Sequence, residues 1–487
     1  MSEDILINIT PQETRVALIF QGAVQELHIE RTLSRGMAGN VYLGKVVRVL
    51  PGMQSAFIDI GLDRAAFLHV ADIWEARGHD GQAASPIPIE RLLFDGQALT
   101  VQVIKDPIGT KGARLTTYIT LPSRHLVYMP QGSGVGVSSR IENEVERERL
   151  RAAVQAFTQE NGNAGYIVRT AAEDAAPQAL NADVIYLRKL WEVVRQRGLR
   201  TEPGGLVHAD LPLHLRVLRD LLRADVDRVI VDQPNAHRDM CEFAATFMPE
   251  ALPRIELYGE LRSVFELHSV EEEIQKALER KAPLKSGGHL IIEQTEAMTT
   301  IDVNTGAFVG HRNLEETIFR TNLEAAVAIA RQLRLRNLGG IIIIDFIDME
   351  EPEHRRQVIQ AMEKALADDH VKTNISSVSP LGLVEMTRKR TRESLEHLLC
   401  QACPTCEGRG FVKTVETVCY EIFREIVRQA RQFECQQLVV LGHQDVIERL
   451  LDEESAVLGE LELSTGKPIR LQAESLYSAD QYDVVLM

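Results

Sequence analysis

Two stretches, Met298-Thr-Thr-Ile301-Asp302-Val303-Asn304 and Gly339-Gly340-Ile-Ile-Ile-Ile344-Asp345-Phe346-Ile347-Asp348, carry the pattern that decides the fold class. Met298 to Val303 reads as a strand, and His289 to Glu293 as another just before it. Gly339 to Phe346 reads as a strand buried on both faces, because four successive isoleucines leave it no polar side. Between them Phe319, Leu323, Ala326, Ala330 and Leu333 recur at helical spacing and give one apolar face. Glu353 to Ala367 predicts a second helix. Strand, helix, strand, helix in this order predicts a layered α/β domain.

The chemistry of that domain lies at the strand ends. Asp302 and Asp345 each follow an apolar run, and ligand sites in α/β sheets gather at the carboxyl ends of strands. Two carboxylates with the amide of Asn304 offer hard oxygen ligands suited to Mg²⁺, which can activate water and neutralise charge on a phosphodiester. The alternative is that strand-end aspartates cap the next turn or helix, a role that suits Asp348.

Working outward, Ile5 to Ile9, Arg15 to Phe20 and Val24 to Ile29 read as three short strands, too few to fold alone. From Gly36 to about Leu121 the pattern is all strand, and five or so short strands there predict a small closed barrel of OB type. Phe57 and Phe67 fall on neighbouring strands of it, with Lys111 nearby. Aromatic faces beside a cation suit stacking of unpaired bases, and core packing is the competing reading. Residues 122–213 mix a helix at Glu144 to Thr158, a strand at Gly165 to Thr170 and a helix around Tyr186 to Arg197. Arg169-Thr170, at the end of that strand, sets a guanidinium fork beside a hydroxyl, a pairing that suits a terminal phosphate. Residues 214–281 contain a strand at Arg228 to Val231, flanked by helices, and are placed to pack with the three N-terminal strands.

Cys403-Pro-Thr-Cys406-Glu-Gly-Arg-Gly410 has the form of a zinc knuckle, two thiolates on a tight turn with glycines behind it. A tetrahedral site needs four ligands, and the chain has no second C-x₂-C pair. Cys400 or a second protomer is the candidate source of the rest, and a redox pair is the competing reading. From about Thr414 the chain continues with an amphipathic helix, Cys419 to Arg431, and closing strands.

Composition bounds the rest. At 487 residues, a prior of one domain per ~150 residues gives about three domains. Apolar residues at 45% and charged residues at 25% are ordinary globular usage, which excludes long disorder. The net charge of -16, from 54 basic and 70 acidic residues, excludes coating of nucleic acid by bulk positive charge. Any such binding is local. Two basic clusters, Arg331 to Arg336 and Arg388 to Arg392, are either solvated faces or such patches. No apolar run approaches a membrane span, and the acidic start Met1-Ser2-Glu3-Asp4 lacks the features of a secretory signal, so a cytoplasmic location is expected. Six cysteines fit a reducing compartment.

The blocks Ala56-Phe57-Ile58-Asp59 through Phe67-Leu68, Ile167-Val168-Arg169-Thr170-Ala171, Glu293-Gln-Thr-Glu296, Thr300 to Asn304, Arg331 to Gly340, Asp345-Phe-Ile-Asp348 and Cys403-Pro-Thr-Cys406 resemble, in order and over essentially the whole chain, the RNase E/G family of bacterial endoribonucleases. The chain ends shortly after the C-terminal segment, without a long disordered tail, so the shorter, G-type branch is expected. The resemblance implies an α+β / α/β multidomain architecture. Residues 1–35 plus 214–280 would form an RNase H-like subdomain, 36–121 an OB-fold RNA-binding barrel and 122–213 a 5′-sensor. Residues 281–399 would form a deoxyribonuclease-I-like nuclease domain with the Mg²⁺ site, 400–413 a zinc-link and 414–487 a small C-terminal domain.

It also implies roles. Asp302 and Asp345 would hold Mg²⁺ with Asn304 assisting, Arg169 and Thr170 would bind an RNA 5′-monophosphate, and Phe57, Phe67 and Lys111 would grip bases. Cys403 and Cys406 would share one Zn²⁺ with the same pair of a second protomer, making a homodimer. The implied activity is Mg²⁺-dependent hydrolysis of single-stranded, A/U-rich RNA, leaving a 5′-phosphate and a 3′-hydroxyl, in 16S-type ribosomal RNA 5′-end maturation and messenger RNA decay. A non-catalytic RNA-binding protein and a deoxyribonuclease are the rival classes; metal-dependent cleavage and a comparison of RNA with DNA separate them.

Overall fold

The computed structural model describes residues 3–33, 35–74, 87–107, 112–158, 164–173, 175–223, 225–306, 314–367, 369 and 371–487. The chain is a mixed α/β multidomain protein that divides into two compact units, Met1–Leu398 and Leu399–Met487.

In the first unit the N-terminal hairpins, Glu3–Ile9, Glu13–Phe20 and Ala23–Arg31, are completed by distant chain. Glu3–Ile9 runs parallel to Val226–Val231, with Ile5 opposite Val229, and Ile255–Leu257 extends the sheet to five strands. Ile5, Ile7, Val16 and Leu18 are buried on one face against Met240 and Ala244 of the helix Pro234–Phe247, so the hydrophobic driving force for these early strands comes from residues more than two hundred positions away.

The barrel closes as expected. Val41–Leu50, Ser55–Asp59, Ala66–His69, Arg114–Thr116 and Ala98–Lys105 pair in ring order, and Val41 meets Gln102 to shut it. Gly44 is required inside: an added Cβ would stand 2.5 Å from Ile58 Cγ2 and 3.1 Å from Val101 Cγ2. Between the barrel and the two later strands of the N-terminal sheet in sequence, a four-stranded sheet carries the helices Glu144–Thr158 and Pro177–Gly198, the second longer than its sequence pattern suggested.

The remainder of this unit is a six-stranded mixed sheet in which Met298–Asn304 and Gly340–Asp345 are parallel neighbours. The helices Leu314–Leu335 and Pro352–Leu366 pack on each other and on the same side of it. Here the isoleucine run departs from expectation. Ile342 and Ile344 are fully buried, but Ile341 is 48% exposed and Ile343 half-buried. Among the described residues helices cover one face of this sheet, as suits mixed rather than all-parallel pairing, and Asp302, Ile341 and Asp345 on the other face are exposed.

The second unit is a three-stranded sheet, Leu438–Gly442 between Ile469–Ala473 and Tyr482–Leu486, with the helix Val415–Gln432 buried against it through Val418, Ile422 and Ile426. No helix among the described residues is long and apolar enough to cross a membrane.

Candidate cleavage site and its supporting residues

Strand alternation builds the site on the open face. Ile301 and Val303 point into the core, so Asp302 and Asn304 point out, as does Asp345 beyond the buried Ile344. The parallel register sets Asp302 directly opposite Asp345. Asn304, two residues on and on the same face, donates from Nδ2 to Asp302 Oδ2 at 2.8 Å. Burial and then the neighbouring Asp302 and Asp348 push the Asp345 carboxyl above its ordinary range.

Uncompensated negative charge at adjoining strand ends is what a divalent cation relieves, and hard oxygens suit Mg²⁺. Among the described residues no three His, Cys, Asp or Glu side chains converge on one point. Mg²⁺ is commonly held by one or two carboxylates, with water and substrate phosphate completing its shell, so the pair with Asn304 fits such an ion.

Asp348 does not cap a helix. The helix Pro352–Leu366 starts after Glu351, with no side-chain cap, and Asp348 instead faces the turn at Gly382. What fixes the loop between the acids is Asn322, fully buried in the helix Leu314–Leu335. Its Nδ2 donates to Ile347 O at 2.8 Å and its Oδ1 accepts from Ile347 N–H at 3.1 Å. The only sequence signal for this clamp is an amide on an apolar helical stripe.

Phe57 and Phe67 are direct cross-strand partners, with ring centroids 6.3 Å apart in an edge-on arrangement. Neither belongs to the barrel core, and Phe57 is 37% exposed, which favours the surface reading over core packing. Lys111 lies outside the described residues.

Arg169 and Thr170 start a short turn after the strand Gly165–Val168. Arg169 donates from Nη1 to Ser123 O at 2.5 Å and from Nη2 to Asp220 Oδ1 at 2.7 Å, and Thr170 Oγ1 lies 3.3 Å from Ser138 Oγ. Burial raises the Asp220 carboxyl, but Arg219 and Arg169 outweigh it and hold it below the usual range. Ser123 is fixed in turn by buried Asp183, which accepts from Ser123 Oγ at 2.6 Å and from His125 N–H at 2.8 Å. Sequence reasoning missed these supports. Asp183, an acid among Leu180, Val184 and Leu187 on one helix stripe, was the readable clue.

The first basic cluster, and Arg388 of the second, are spent inside the protein. Arg331 bonds Val24 O and Glu273, Arg334 bonds Ala365 O and Gln25, and Arg336 bonds Glu279 O. Arg388 forms a buried ion pair with Asp369 at 2.7 Å.

In the second unit Cys403 and Cys406 sit on a tight turn whose exit uses left-handed backbone at Glu407, Gly408 and Gly410. Backbone N–H groups of Cys406 and Thr405 pull the Cys403 thiol below its ordinary range, so it favours the thiolate that binds zinc. No strand of this unit precedes the pair, which lies ahead of the helix Val415–Gln432 rather than at a strand-to-helix turn. Arg409 donates its backbone N–H to Cys406 O at 2.8 Å and pairs with Asp480 at 3.1 Å, tying the knuckle to this unit.

The Ribonuclease E/G family model matches residues 120–391, and that of the RNase E/G thioredoxin-like domain matches residues 402–486. Ribonuclease G of Salmonella typhimurium (strain SL1344) and Ribonuclease G of Escherichia coli (strain K12) are each 55% identical to the chain over 491 residues, covering 100% of both sequences. Ribonuclease G of Haemophilus influenzae (strain Rd) is 53% identical over 489 residues, covering 99% of each.

Proposed function

The chain belongs to the ribonuclease E/G family, and from that premise we propose that it is a Mg²⁺-dependent endoribonuclease of single-stranded RNA, stimulated by a 5′-monophosphate. The observation that carries this reading is the register that sets Asp302 opposite Asp345 on an open sheet face, with Asn304 bonded to one of the pair.

Asp302 and Asp345 hold the cation, which when bound supplies Lewis-acid stabilisation of phosphodiester charge and lowers the pKa of water. Asn304 keeps the Asp302 carboxylate in one orientation, and Asn322 keeps the Asp345–Asp348 loop in register. Phe57 and Phe67 stack unpaired bases, and a surface that works by stacking is suited to single strands, A/U-rich ones included. Lys111 adds a cation to that grip. Arg169 and Thr170 receive the 5′-phosphate, with Asp220 and Ser123 O presetting the guanidinium. Hydrolysis leaves a 5′-phosphate and a 3′-hydroxyl.

In this reading the N-terminal five-stranded sheet is RNase H-like, the barrel is an OB fold, residues 122–213 are the 5′-sensor and the mixed sheet is deoxyribonuclease-I-like. Cys403 and Cys406 share a structural Zn²⁺ with a second protomer. The protein acts in the cytoplasm, on ribosomal RNA precursor at the 16S-type 5′ end and on messenger RNA.

The test is cleavage of a single-stranded RNA oligomer carrying a 5′-monophosphate beside its 5′-hydroxyl twin, in Mg²⁺ and in EDTA. Cutting that requires metal, prefers the monophosphate and falls ~100-fold or more in Asp302→Asn with RNA binding retained is expected. Wild-type rates from Asp302→Asn overturn the metal assignment, and equal rates on the two RNAs overturn the sensor.

A further inference from the structure

A cleft of about 630 Å³ opens in the first unit where the end of the strand Ala23–Arg31, the Gly36–Ala38 and Lys105–Pro107 segments of the barrel, the helical segment 213–221 and residues 390–398 meet. Asp302, Asp345, Arg169 and Thr170 do not line it. Six cationic side chains do: Arg31, Arg35, Lys105, Arg216, Arg390 and Arg392.

Of the four carboxylates in the wall, three are already committed. Glu30 is bridged by Arg35 and Arg216, and Asp106 accepts the backbone N–H groups of Met37 and Ala38 at 2.6 and 2.9 Å. Asp220 is shared by Arg219 and Arg169. The fourth, Glu393, is exposed. Among the described residues no carboxylate is hydrogen-bonded to Arg390 or Arg392.

Arg390 is held in place by a built contact. Its Nε donates to Gly339 O at 2.9 Å, and its guanidinium lies over Gly340, where an added Cβ would stand 2.8 Å from both Nε and Nη2. Gly340 has φ +98°, so glycine is needed there twice over, for the backbone and for the arginine. Arg392 is exposed at the cleft, with Arg216 also in the cleft wall. Guanidinium groups with no bonded carboxylate keep their donors for a ligand anion, and several converging on one cleft add their attraction.

We propose that this cleft is an anion-binding site, separate from the cleavage site, that takes phosphate groups. Guanidinium forks match phosphate oxygens in pairs, and the volume is that of a nucleotide-sized ligand. The phosphate belongs either to a free polyphosphate compound or to a strand of RNA. Because the cations come from the N-terminal sheet, the barrel and the segment following the mixed sheet, a bound phosphate holds three parts of the unit together.

The test is calorimetric titration of inorganic tripolyphosphate into the full chain in EDTA, which strips any divalent cation that would recruit phosphate to Asp302 and Asp345. Saturable binding is expected, weaker by about tenfold or more in the combined Arg390→Gln and Arg392→Gln variant and retained in Arg169→Gln, which removes only the separate 5′-phosphate contact. Arg390→Gln alone, at an exposed position, weakens binding in the same direction and keeps the test decisive if the double variant does not fold. Displacement of tripolyphosphate by a single-stranded 5′-hydroxyl RNA assigns the cleft to an RNA strand, and failure to displace it assigns the cleft to free polyphosphates. No binding, equal affinity in wild type and the Arg390 variants, or loss of binding in Arg169→Gln overturns the proposal. No cleavage is read, so failure leaves the nuclease reading intact.

Discussion

Asn322 is a fully buried amide in the middle of an otherwise apolar helix face, and its two bonds satisfy the backbone N–H and C=O of the partly buried Ile347. Asn322→Leu removes both, so we expect a loss of about 2–4 kcal/mol in chemical denaturation. Because Ile347 sits between Asp345 and Asp348, kcat should fall while the KM for RNA changes little. A variant that loses stability but keeps kcat would show that the clamp only supports the fold. Phe57 gives the opposite signature. Exposed and outside the core, it should lose RNA affinity as Phe57→Ala by ~1–3 kcal/mol, read by fluorescence titration, with an unchanged melting temperature. At this scale the candidate site residues were legible, because a carboxylate after an apolar strand or an aromatic on a barrel announces its chemistry locally. The residues that orient them were not. Asp220 lies 51 positions from Arg169 and Asn322 lies 25 from Ile347, separations that no periodicity bridges.

Elements show a different limit. The strand Gly340–Asp345 is as apolar as a fully buried one, yet one face is open, because burial is decided by where the helices Leu314–Leu335 and Pro352–Leu366 pack rather than by the strand itself. That open face is what leaves Asp345 accessible. Conversely, Arg331, Arg334 and Arg336 look from sequence like a solvated or RNA-binding face, but they tie their helix to the N-terminal sheet and its neighbours. The strand Ala23–Arg31 supplies a pH test of that junction. Its His28 is 13% exposed at the side chain, and burial followed by the charge on Arg392 lowers it from 6.5 to about 4. The unfolded chain therefore takes up the proton near pH 6.5 while the folded chain refuses it until about pH 4. Stability from this group is present above pH 6.5 and is lost as pH falls toward 4. Between about pH 7.5 and about pH 5 the loss is about 2 kcal/mol. Urea unfolding of His28→Gln at the two values should show a drop smaller than wild type by that amount; an identical drop would mean that His28 is not held neutral.

For the whole molecule, the question is what one chain lacks. Net charge is -16 and the Arg331–Arg336 cluster and Arg388 are engaged internally, so RNA affinity should rest on a few local contacts and on stacking. The Cys403–Cys406 turn poses the same question for metal. Its thiolate-favouring N–H groups and left-handed exit are those of a knuckle, but a knuckle supplies two of the four ligands that a structural zinc takes. If a second chain supplies the other two, metal content and mass are coupled. The protein should then hold about one zinc per two chains and run as a dimer, and Cys403→Ser should lose zinc and dimer together while the second unit, whose core lies around Ile422 and Val440, stays folded. Light scattering after gel filtration, with zinc measured on the same fractions, separates the cases. One zinc per chain would point to ligands within the chain, with Cys400 the nearest, and a Cys403→Ser dimer without zinc would place the contact between chains elsewhere than at the knuckle.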